Sequence, residues 1–415
     1  MNVTWLTSTY PWAEQPVGGI FFQAQAQALA RQGVGVSIVT PTPWAPFPLS
    51  RLRARWRLYA RAPSDTDDGA VRVFRPRYLN VPGQPRIAHP DRFIARAALR
   101  CRPAWAETGL VHGHFAVNGL AAARVARATG LPLALSFHGS DINTWPQEHP
   151  DRMGDLAAAV RQADLVTAVS RALVERLRHL TGVDAKHLPI GSDHHRIADS
   201  ALTRDQARRV AGIADDRVVV MFVGNLLRAK GVRELAEAIL GLGHPFLAVY
   251  VGDGPESGYG GNDPRARDLL DYRGQCSNTE VVRYMSAADV LVLPSHGEGL
   301  PTVLVEAGTL GLPVIASAVG GIPDLLDGGR GTLLPEVSVN AVAGALVHFV
   351  EHRPEAEAAA IRLKRHVREE HDVNRNAAHL LEMYRAVINR REAARGDDDH
   401  TIAHGPPSDR GPWPR

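Results

Sequence analysis

Short apolar segments alternate with alanine-rich, amphipathic segments along most of this 415-residue chain. The apolar segments have the length of buried β-strands, and the segments between them have helical spacing. Strands that alternate with helices are typical of parallel sheets covered by helices on both faces. We predict strands at residues 3–6, 36–39, 133–137, 165–169, 218–223, 246–251, 290–293 and 313–316. The pattern therefore predicts an α/β protein.

The alternation starts afresh at Val218, about halfway along the chain. In both series, a first strand is followed by a glycine-containing loop and then by a helix. A chain of this length is too long for a single hydrophobic core. We therefore expect two Rossmann-like domains that face each other across a cleft. The predicted divisions are residues 1–198 and 199–375 for the domains, 376–393 for a helix that returns to the first domain, and 394–415 for a polar, disordered tail.

The composition excludes several classes of protein. A hydrophobic content of 45% with 22% charged residues is typical of a soluble globular enzyme. With 47 basic and 44 acidic residues, the chain has no uniform positive field for nucleic acid. Two distant cysteines form neither a disulfide framework nor a metal-binding motif. No apolar run approaches the roughly 18 residues that cross a bilayer, and the N-terminus does not resemble a signal peptide, so we expect a cytoplasmic protein.

The stretch from Glu298 to Glu306 carries the strongest functional signal. It follows a predicted strand and enters a helix that we expect to open at Pro301, a residue favoured in the first helical turn. A helix N-terminus offers free N–H groups to a phosphate. The two carboxylates can then reach hydroxyls on either side of a bound diphosphate, so the stretch predicts a sugar-nucleotide site. The alternative is a solvated helix residue and an ordinary loop charge.

The glycine-rich loop from Gly224 to Gly231 follows the first strand of the second series. Lys230 in this loop can meet a diphosphate from the side opposite the helix at Pro301, with charge-assisted hydrogen bonds. Taken alone, it could equally be a surface-loop lysine before a helix. The combination with the two glutamates favours the phosphate interpretation.

Several motifs together resemble glycosyltransferase family four, the retaining nucleotide-sugar transferases of GT-B fold. They run in order from about residue 3 to residue 390. The matching segments are Pro16-Val17-Gly18-Gly19-Ile20, His138-Gly139-Ser140-Asp141, residues 163–170, residues 189–193, residues 224–231, Val251-Gly252-Asp253-Gly254-Pro255 and residues 288–323.

The resemblance implies a role for each residue of the glutamate stretch. Glu306 would bind the donor ribose, and Glu298 would bind hydroxyls of the transferred sugar. Backbone N–H groups of Gly299, Leu300 and Thr302 would hold the phosphates or the sugar. The donor is then a nucleoside diphosphate sugar.

The resemblance also implies roles outside that stretch. Lys230 would neutralise the leaving diphosphate, Gly19 would let the first domain's loop approach it, and His138 would lie near the anomeric carbon. No protein nucleophile and no metal or other cofactor are expected, so catalysis would depend on positioning and charge. The family's usual Gly-Arg-Leu is Gly224-Asn225-Leu226 here, and we expect Arg228 to supply the missing cation.

Other polar residues near these motifs have simpler interpretations. His138 could merely cap its strand, and Asp141 is expected to fix the local turn. His112 and His114 are expected to be structural, because no ligand cluster forms around them. Residues 251–254 lack the third glycine of a dinucleotide fingerprint, so a dehydrogenase is disfavoured.

Arginines crowd residues 51–61 in the first domain, interleaved with aromatic and aliphatic residues; the five are Arg51, Arg53, Arg55, Arg57 and Arg61. The first domain binds the acceptor in folds of this kind. The segment therefore predicts contact with an anionic membrane or a lipid diphosphate, and a peripheral location at the inner face of the membrane. The alternative is a solvated basic helix.

The sequence thus predicts a retaining hexosyltransferase. It would move a hexose from a nucleoside diphosphate sugar to a saccharide or lipid-linked acceptor in cell-surface polysaccharide or glycolipid biosynthesis. A nucleotide-sugar epimerase on the same fold is the main alternative, and it would turn over donor without an acceptor. A non-catalytic or nucleic-acid-binding protein is disfavoured by the dispersed charge.

Overall fold

The computed structural model describes residues 1–16, 18–44, 47, 54–80, 89–214 and 216–402. The strands are β1 Asn2–Leu6, β2 Gly35–Val39, β3 Thr42–Trp44, β4 Asp65–Asp68, β5 Val71–Phe74, β6 Arg77–Leu79, β7 Leu110–His114, β8 Leu133–Phe137, β9 Leu165–Ala168, β10 Lys186–His187, β11 Val218–Val223, β12 Phe246–Val251, β13 Leu270–Tyr272, β14 Val290–Leu293, β15 Val314–Ser317 and β16 Thr332–Leu334. The α-helices are α1 Ile20–Arg31, α2 Ala54–Arg61, α3 Pro90–Arg100, α4 Arg102–Trp105, α5 Ala116–Thr129, α6 Ser140–Asn143, α7 Trp145–Glu148, α8 Met153–Gln162, α9 Arg171–Thr181, α10 His194–Ser200, α11 Arg204–Ala211, α12 Val232–Leu242, α13 Ala266–Leu269, α14 Asn278–Ala287, α15 Thr302–Leu310, α16 Ile322–Leu326, α17 Val339–Glu351, α18 Arg353–Glu370 and α19 Val373–Ile402.

Two separate parallel sheets organise the chain. The first has the order β10-β9-β8-β7-β1-β2-β5-β4, and only β4 runs antiparallel to its neighbour. The second has the order β13-β12-β11-β14-β15-β16, with every pairing parallel. The central strands are mostly apolar and mostly buried, because helices cover both faces. The predicted α/β fold with two Rossmann-like units is confirmed.

The boundary between the first and second units lies at a different residue from the one predicted. His194, the first residue of α10, hydrogen-bonds through Nδ1 to the Thr309 hydroxyl of α15 (2.8 Å) and through Nε2 to the carbonyl of Val367 in α18 (3.1 Å). Helix α10 therefore packs with the second unit. The predicted boundary between residues 198 and 199 lies inside this helix, and the packing moves it to about residue 193.

The chain crosses between the units twice, and the two crossings lie side by side. The Ser192 N–H donates to the carbonyl of His371 (2.7 Å), and the Val373 N–H donates to the carbonyl of Ser192 (3.1 Å). After the second crossing, α19 packs against α1 of the first unit. This helix begins at Val373 and continues to Ile402, so the prediction of a disordered tail from residue 394 is wrong for residues 394–402. Residues 403–415 lie outside the described part of the chain.

Backbone contact between two glycines joins the units near their centre. The Cα of Gly299 lies 2.5 Å from the position that a Cβ on Gly139 would take, and a Cβ on Gly299 would overlap the carbonyl oxygen of His138. The Asn143 side-chain amide donates to the carbonyl of Glu298 across the same contact (3.0 Å). Only a residue without a side chain fits at position 299, so this glycine allows the two units to touch.

We expect Tyr384→Phe to destabilise the docking of α19. The Tyr384 hydroxyl accepts a hydrogen bond from Trp5 Nε1 (3.1 Å) and bonds His112 Nδ1 (2.5 Å), all three residues being buried. Leaving two buried ring nitrogens without this partner should lower the free energy of unfolding by about 1–3 kcal/mol in urea titrations. The matched control is Tyr259→Phe, whose hydroxyl bonds Glu237 at the surface and should matter by less than about 0.5 kcal/mol. Equal losses in the two variants would contradict this account.

We expect Gly299→Ala to push the units apart while each remains folded. The added methyl group meets backbone atoms of His138 and Gly139, which cannot rotate away as a side chain can. The radius of gyration from small-angle X-ray scattering should increase. Gly297→Ala is the control, since nothing lies within 4 Å of its added Cβ. Superposable scattering curves for Gly299→Ala and wild type would show that the contact does not hold the units together.

Candidate functional site

A cavity of about 660 Å³ lies between the carboxyl ends of the two sheets. Open parallel sheets bind ligands at this edge. Its walls come from both units: Gly19, Ile20, Phe21, Phe222, Val223, Gly224, Asn225, Lys230, Val251, Gly252, Asp253, Gly254, Gln275, Cys276, Asn278, Val281, Leu293, Glu298, Pro301, Thr302, Val303 and Glu306. Five residues predicted from sequence are among them, namely Gly19, Lys230, Glu298, Thr302 and Glu306.

The N-terminus of α15 opens onto this cavity. Pro301 has an extended backbone (φ −69°, ψ 117°) and precedes the helix, which begins at Thr302 and not at Pro301 as predicted. Among the described residues, no side chain caps this end. The N–H groups of the first turn have no partner within the helix, so those of Thr302 and Val303 remain available to an anion.

Lys230 and Glu298 form an ion pair beside this helix end. The Lys230 Nζ lies 2.6 Å from Glu298 Oε1, and the two side chains are only 27% and 10% exposed. Lys230 is the last residue of a short 3₁₀ helix, Arg228–Lys230, which precedes the N-terminus of α12. The sequence placed Lys230 across the diphosphate from the glutamate stretch, and the structure instead joins the two side chains directly. A shielded pair of this kind fixes the position of both groups.

Glu306 lies one turn inside α15 and lines the same cavity. Burial raises the pKa of its carboxyl to about 7, and the positive charge of Arg196 opposes the shift only in part. A carboxylate in such a place gains from hydroxyl donors, because hydrogen bonds favour its ionised form. The cavity therefore holds an acceptor group that a pair of hydroxyls could satisfy.

Gly19 forms the wall that the first unit contributes. Its backbone is left-handed (φ 80°), and a Cβ there would lie 2.8 Å from the carbonyl oxygen of Thr9. Glycine adopts this conformation without strain. The turn places Ile20 and Phe21, the first residues of α1, at the cavity. Val17 of the same motif lies outside the described residues.

Four predicted site residues have side chains or positions outside the cavity lining. Gly299 lies at the contact between the units, and its carbonyl accepts from the Gly321 N–H (2.6 Å). Leu300 is buried in the core. Arg228 is exposed and does not line the cavity. His138 is the fourth, and its surroundings are described next.

His138 borders a small cavity next to the large one. Phe21 lines both cavities. The ring centroids of His138 and Phe21 are 5.4 Å apart. His138 Nε2 lies 3.1 Å from Nδ1 of His114, while His138 Nδ1 is shielded from solvent and has no partner among the described residues. Burial lowers the pKa of His138 to about 3, so the ring is neutral. His138 itself does not line the large cavity.

The histidines of β7 were expected to be structural, and their burial agrees with that. His112 bonds Tyr384 and Ser136, which ties it to the core. His114 differs because it contacts His138 directly. His112 and His114 are two residues apart on β7 and therefore point to the same face of the sheet. The contact between His114 and His138 was not predicted from the sequence. Asp141 accepts hydrogen bonds from the N–H groups of His138 (3.1 Å) and Gly139 (2.7 Å), as the predicted turn requires.

Asn278 is a cavity residue that sequence reasoning missed. It is the first residue of α14, and its side-chain Nδ2 is buried without a hydrogen-bond partner among the described residues. Phe222, Val251 and Val281 line the same cavity with apolar surface. An unpaired amide beside apolar walls can recognise one edge of a flat ring. Only the capping-box pattern Ser277 to Glu280 marked this helix start in the sequence.

A second cavity of about 220 Å³ lies within the first unit. Its lining includes residues that come directly after β1 and β2. One of them is Thr9, whose backbone contacts Gly19. Tyr10, Trp12, Tyr78 and Asn118 contribute aromatic and amide surface. Such a mixture suits a sugar ring, with an apolar face and a polar edge.

The basic segment at residues 51–61 can be followed only in part, because residues 51–53 lie outside the described residues. The arginines that follow it are tied to the protein. Arg75 is buried and donates to Thr66 and to the carbonyl of Pro11. Arg77 donates to carbonyls at the end of α2, and Arg72 lies 3.8 Å from Asp67. They are not a free basic surface.

In the part of the chain that the structure describes, no three His, Cys, Asp or Glu side chains are grouped so that they could hold a metal ion. None of its helices is both long and apolar enough to cross a membrane.

Sequence comparison assigns the chain to a family. The model for glycosyl transferases group 1 matches residues 203–366, and that for glycosyltransferase family 4 matches residues 19–191. A candidate teichuronic acid biosynthesis glycosyltransferase of Bacillus subtilis, TuaC, is 34% identical over 93% of this chain and 99% of its own length.

Structure comparison gives the same fold at lower identity. Sucrose-phosphate synthase from Thermosynechococcus elongatus superposes with a TM-score of 0.76 and 19% identity, over 94% of this chain and 99% of that one. Anabaena HepE, solved in complex with UDP, gives 0.69 and 19%, over 93% and 100%. The chain therefore belongs to the group 1, family 4 glycosyltransferases and is a glycosyltransferase of GT-B fold.

Proposed function

We propose that this protein is a retaining hexosyltransferase that uses a nucleoside diphosphate sugar to extend a saccharide or lipid-linked acceptor in cell-surface polysaccharide or glycolipid biosynthesis. The observation that carries the proposal is the cavity that joins the N-terminus of α15, Lys230 and two glutamates. HepE structures contain UDP and UDP-glucose, and TuaC is named for teichuronic acid biosynthesis. The HepE structures support a nucleotide-sugar donor, and the name of TuaC supports a cell-surface product.

The donor is proposed to lie along the cavity from Asn278 to Glu298. The base packs between Phe222, Val251 and Val281, and the ribose hydroxyls bond Glu306. The diphosphate takes the N–H groups at the start of α15, including Thr302, with Lys230 as counter-charge. Glu298 and the backbone of Gly299 and Leu300 hold the sugar.

Catalysis in this arrangement comes from charge and position. The leaving diphosphate gains negative charge as the glycosidic bond breaks, and Lys230 and the helix N-terminus stabilise it. The acceptor enters through the 220 Å³ cavity of the first unit, and the leaving phosphate takes its proton. Asp141 is held by backbone N–H groups and is not a nucleophile in this scheme. No metal is part of it, because Lys230 and the helix supply the positive charge.

Two predicted residues require a movement to take part. His138 reaches the sugar only when a movement brings it to the large cavity, and Arg228 acts as the second cation only when its exposed side chain turns inward. We propose a cytoplasmic protein that meets a lipid-linked acceptor at the inner face of the membrane. Residues 51–53 lie outside the described residues, so the structure does not test a membrane contact of residues 51–61. That contact stays part of this proposal.

We expect donor affinity to fall as the pH drops below about 7. Glu306 binds ribose hydroxyls as a carboxylate, while its raised pKa keeps it protonated in acid. At pH 6 the dissociation constant of a nucleotide sugar should be about tenfold higher than at pH 8, since one pH unit below the pKa leaves about a tenth of the groups ionised. A suitable sugar nucleotide is first identified by thermal-shift screening, and calorimetry then measures its dissociation constant at both pH values. The diphosphate diester of the sugar nucleotide does not titrate in this range.

Glu306→Gln should bind more weakly at pH 8 and lose the pH dependence. Glu382→Gln, on the exposed side of α19, is the matched control and should behave as wild type. A wild-type dissociation constant that is the same at pH 6 and pH 8 would show that Glu306 does not hold the donor.

We expect Lys230→Ala to reduce turnover by about 100-fold or more, the usual effect of removing one group that stabilises transition-state charge. The control is Lys186→Ala, an exposed lysine on β10. Activity is measured as nucleoside diphosphate release with and without acceptor, and NMR of the product should show the anomeric configuration of the donor. Conversion of the donor into an epimeric sugar nucleotide, without acceptor and without nucleoside diphosphate release, would establish an epimerase, and an inverted anomer would refute retention.

A further inference from the structure

A groove rich in arginine lies on the first unit, away from the residues that line the donor cavity. It has an open volume of about 770 Å³ and runs between α3 and α5. Six of its nine lining residues are arginines, and the others are small or aliphatic: Arg92, Ala95, Arg96, Leu99, Arg100, Arg102, Arg124, Arg127 and Ala128. No carboxylate appears in this lining, in a chain whose net charge is only +3.

Most of these arginines have no partner of their own. Arg124 is the exception, because its Nε lies 2.7 Å from the buried Asp91. Arg127 donates to the neutral side chain of Gln162 (2.9 Å). Within the described residues, the side chains of Arg92, Arg96, Arg100 and Arg102 make no hydrogen bond or ion pair and are exposed. They are a different set from the arginines at residues 72–77, which are bound to the protein.

The arrangement along the groove is linear. Arg92, Arg96 and Arg100 are spaced four residues apart on α3, which places them on one face at steps of about 6 Å. Arg124 and Arg127 are three apart on α5 and stand on the opposite wall. A ligand that lies in the groove therefore meets guanidinium groups on both sides along its length.

Crowded like charges destabilise a folded surface unless an anion compensates them. Guanidinium groups match carboxylates and phosphates with paired hydrogen bonds. We propose that this groove binds an extended anionic saccharide, a glycan chain that carries carboxylates at intervals. An extended chain can follow the line of arginines from Arg92 to Arg100 and contact several of them at once.

The groove is connected to the first unit's smaller cavity by one helix. Ile94 of α3 lines that cavity, while Arg92, Arg96 and Arg100 of the same helix line the groove. A glycan held in the groove would lie one helix away from the cavity proposed for the acceptor. Binding in the groove does not depend on donor binding or on turnover, so the two proposals can fail separately.

The test is direct binding of oligogalacturonate to the full chain without donor, by calorimetry. We expect binding that weakens several-fold between about 50 and 300 mM salt, as screening of exposed charges requires. Neutral dextran of equal length should not bind. The double variant R96Q/R100Q should bind oligogalacturonate at least about fivefold more weakly than wild type.

The matched control is R209Q/R365Q, which removes the same charge from exposed positions on the second unit. It should bind as wild type does, which separates a site from general attraction. Equal binding by R96Q/R100Q and wild type would overturn the proposal. So would the absence of glycan binding combined with R96Q/R100Q-sensitive binding to phosphatidylglycerol vesicles, which would make the groove a membrane contact.

Discussion

The contact between Gly139 and Gly299 is the constraint on which the candidate site depends. Each glycine lies so close to the other's backbone that no side chain fits between them. The contact holds the loop that carries Glu298, and Asn143 adds a hydrogen bond to the carbonyl of that residue. The cavity has walls from both units only because the loop stays in this place. Two parallel sheets alone would each present a ligand edge, but they would not share a ligand.

The electrostatics of the cavity follow from burial combined with a few opposite charges. Lys230 and Glu298 compensate each other at 2.6 Å. Burial raises the pKa of Glu306, and the positive charge of Arg196 offsets that shift only in part. The N-terminus of α15 adds positive character that no side chain of the described residues caps. A ligand with phosphates and hydroxyls, such as the proposed sugar nucleotide, would satisfy these groups together.

Much of the fold could be predicted because its signal is local. The strands at Val218–Val223, Phe246–Val251 and Val290–Leu293 have the predicted bounds. Their apolar runs are bounded by glycine and proline, which end regular structure whatever surrounds them. Helix α19 was predicted too short, since a polar and glycine-containing stretch can extend a helix that is already docked. The ends of elements depend on such packing and are the weakest part of a sequence prediction.

The sequence by itself determined the family and the two units, because motifs and periodicity depend on neighbours along the chain, and it singled out four residues that line the cavity, Gly19, Lys230, Glu298 and Glu306. Only the tertiary structure decided which side chains meet. Lys230 and Glu298 are 68 residues apart, and His114 ends β7 while His138 follows β8. It also left His138 outside the lining of the large cavity, tied Arg75 and Arg77 to the protein, and aligned another set of arginines along α3 and α5. Distance and burial in space are set by packing, and local sequence carries no record of them.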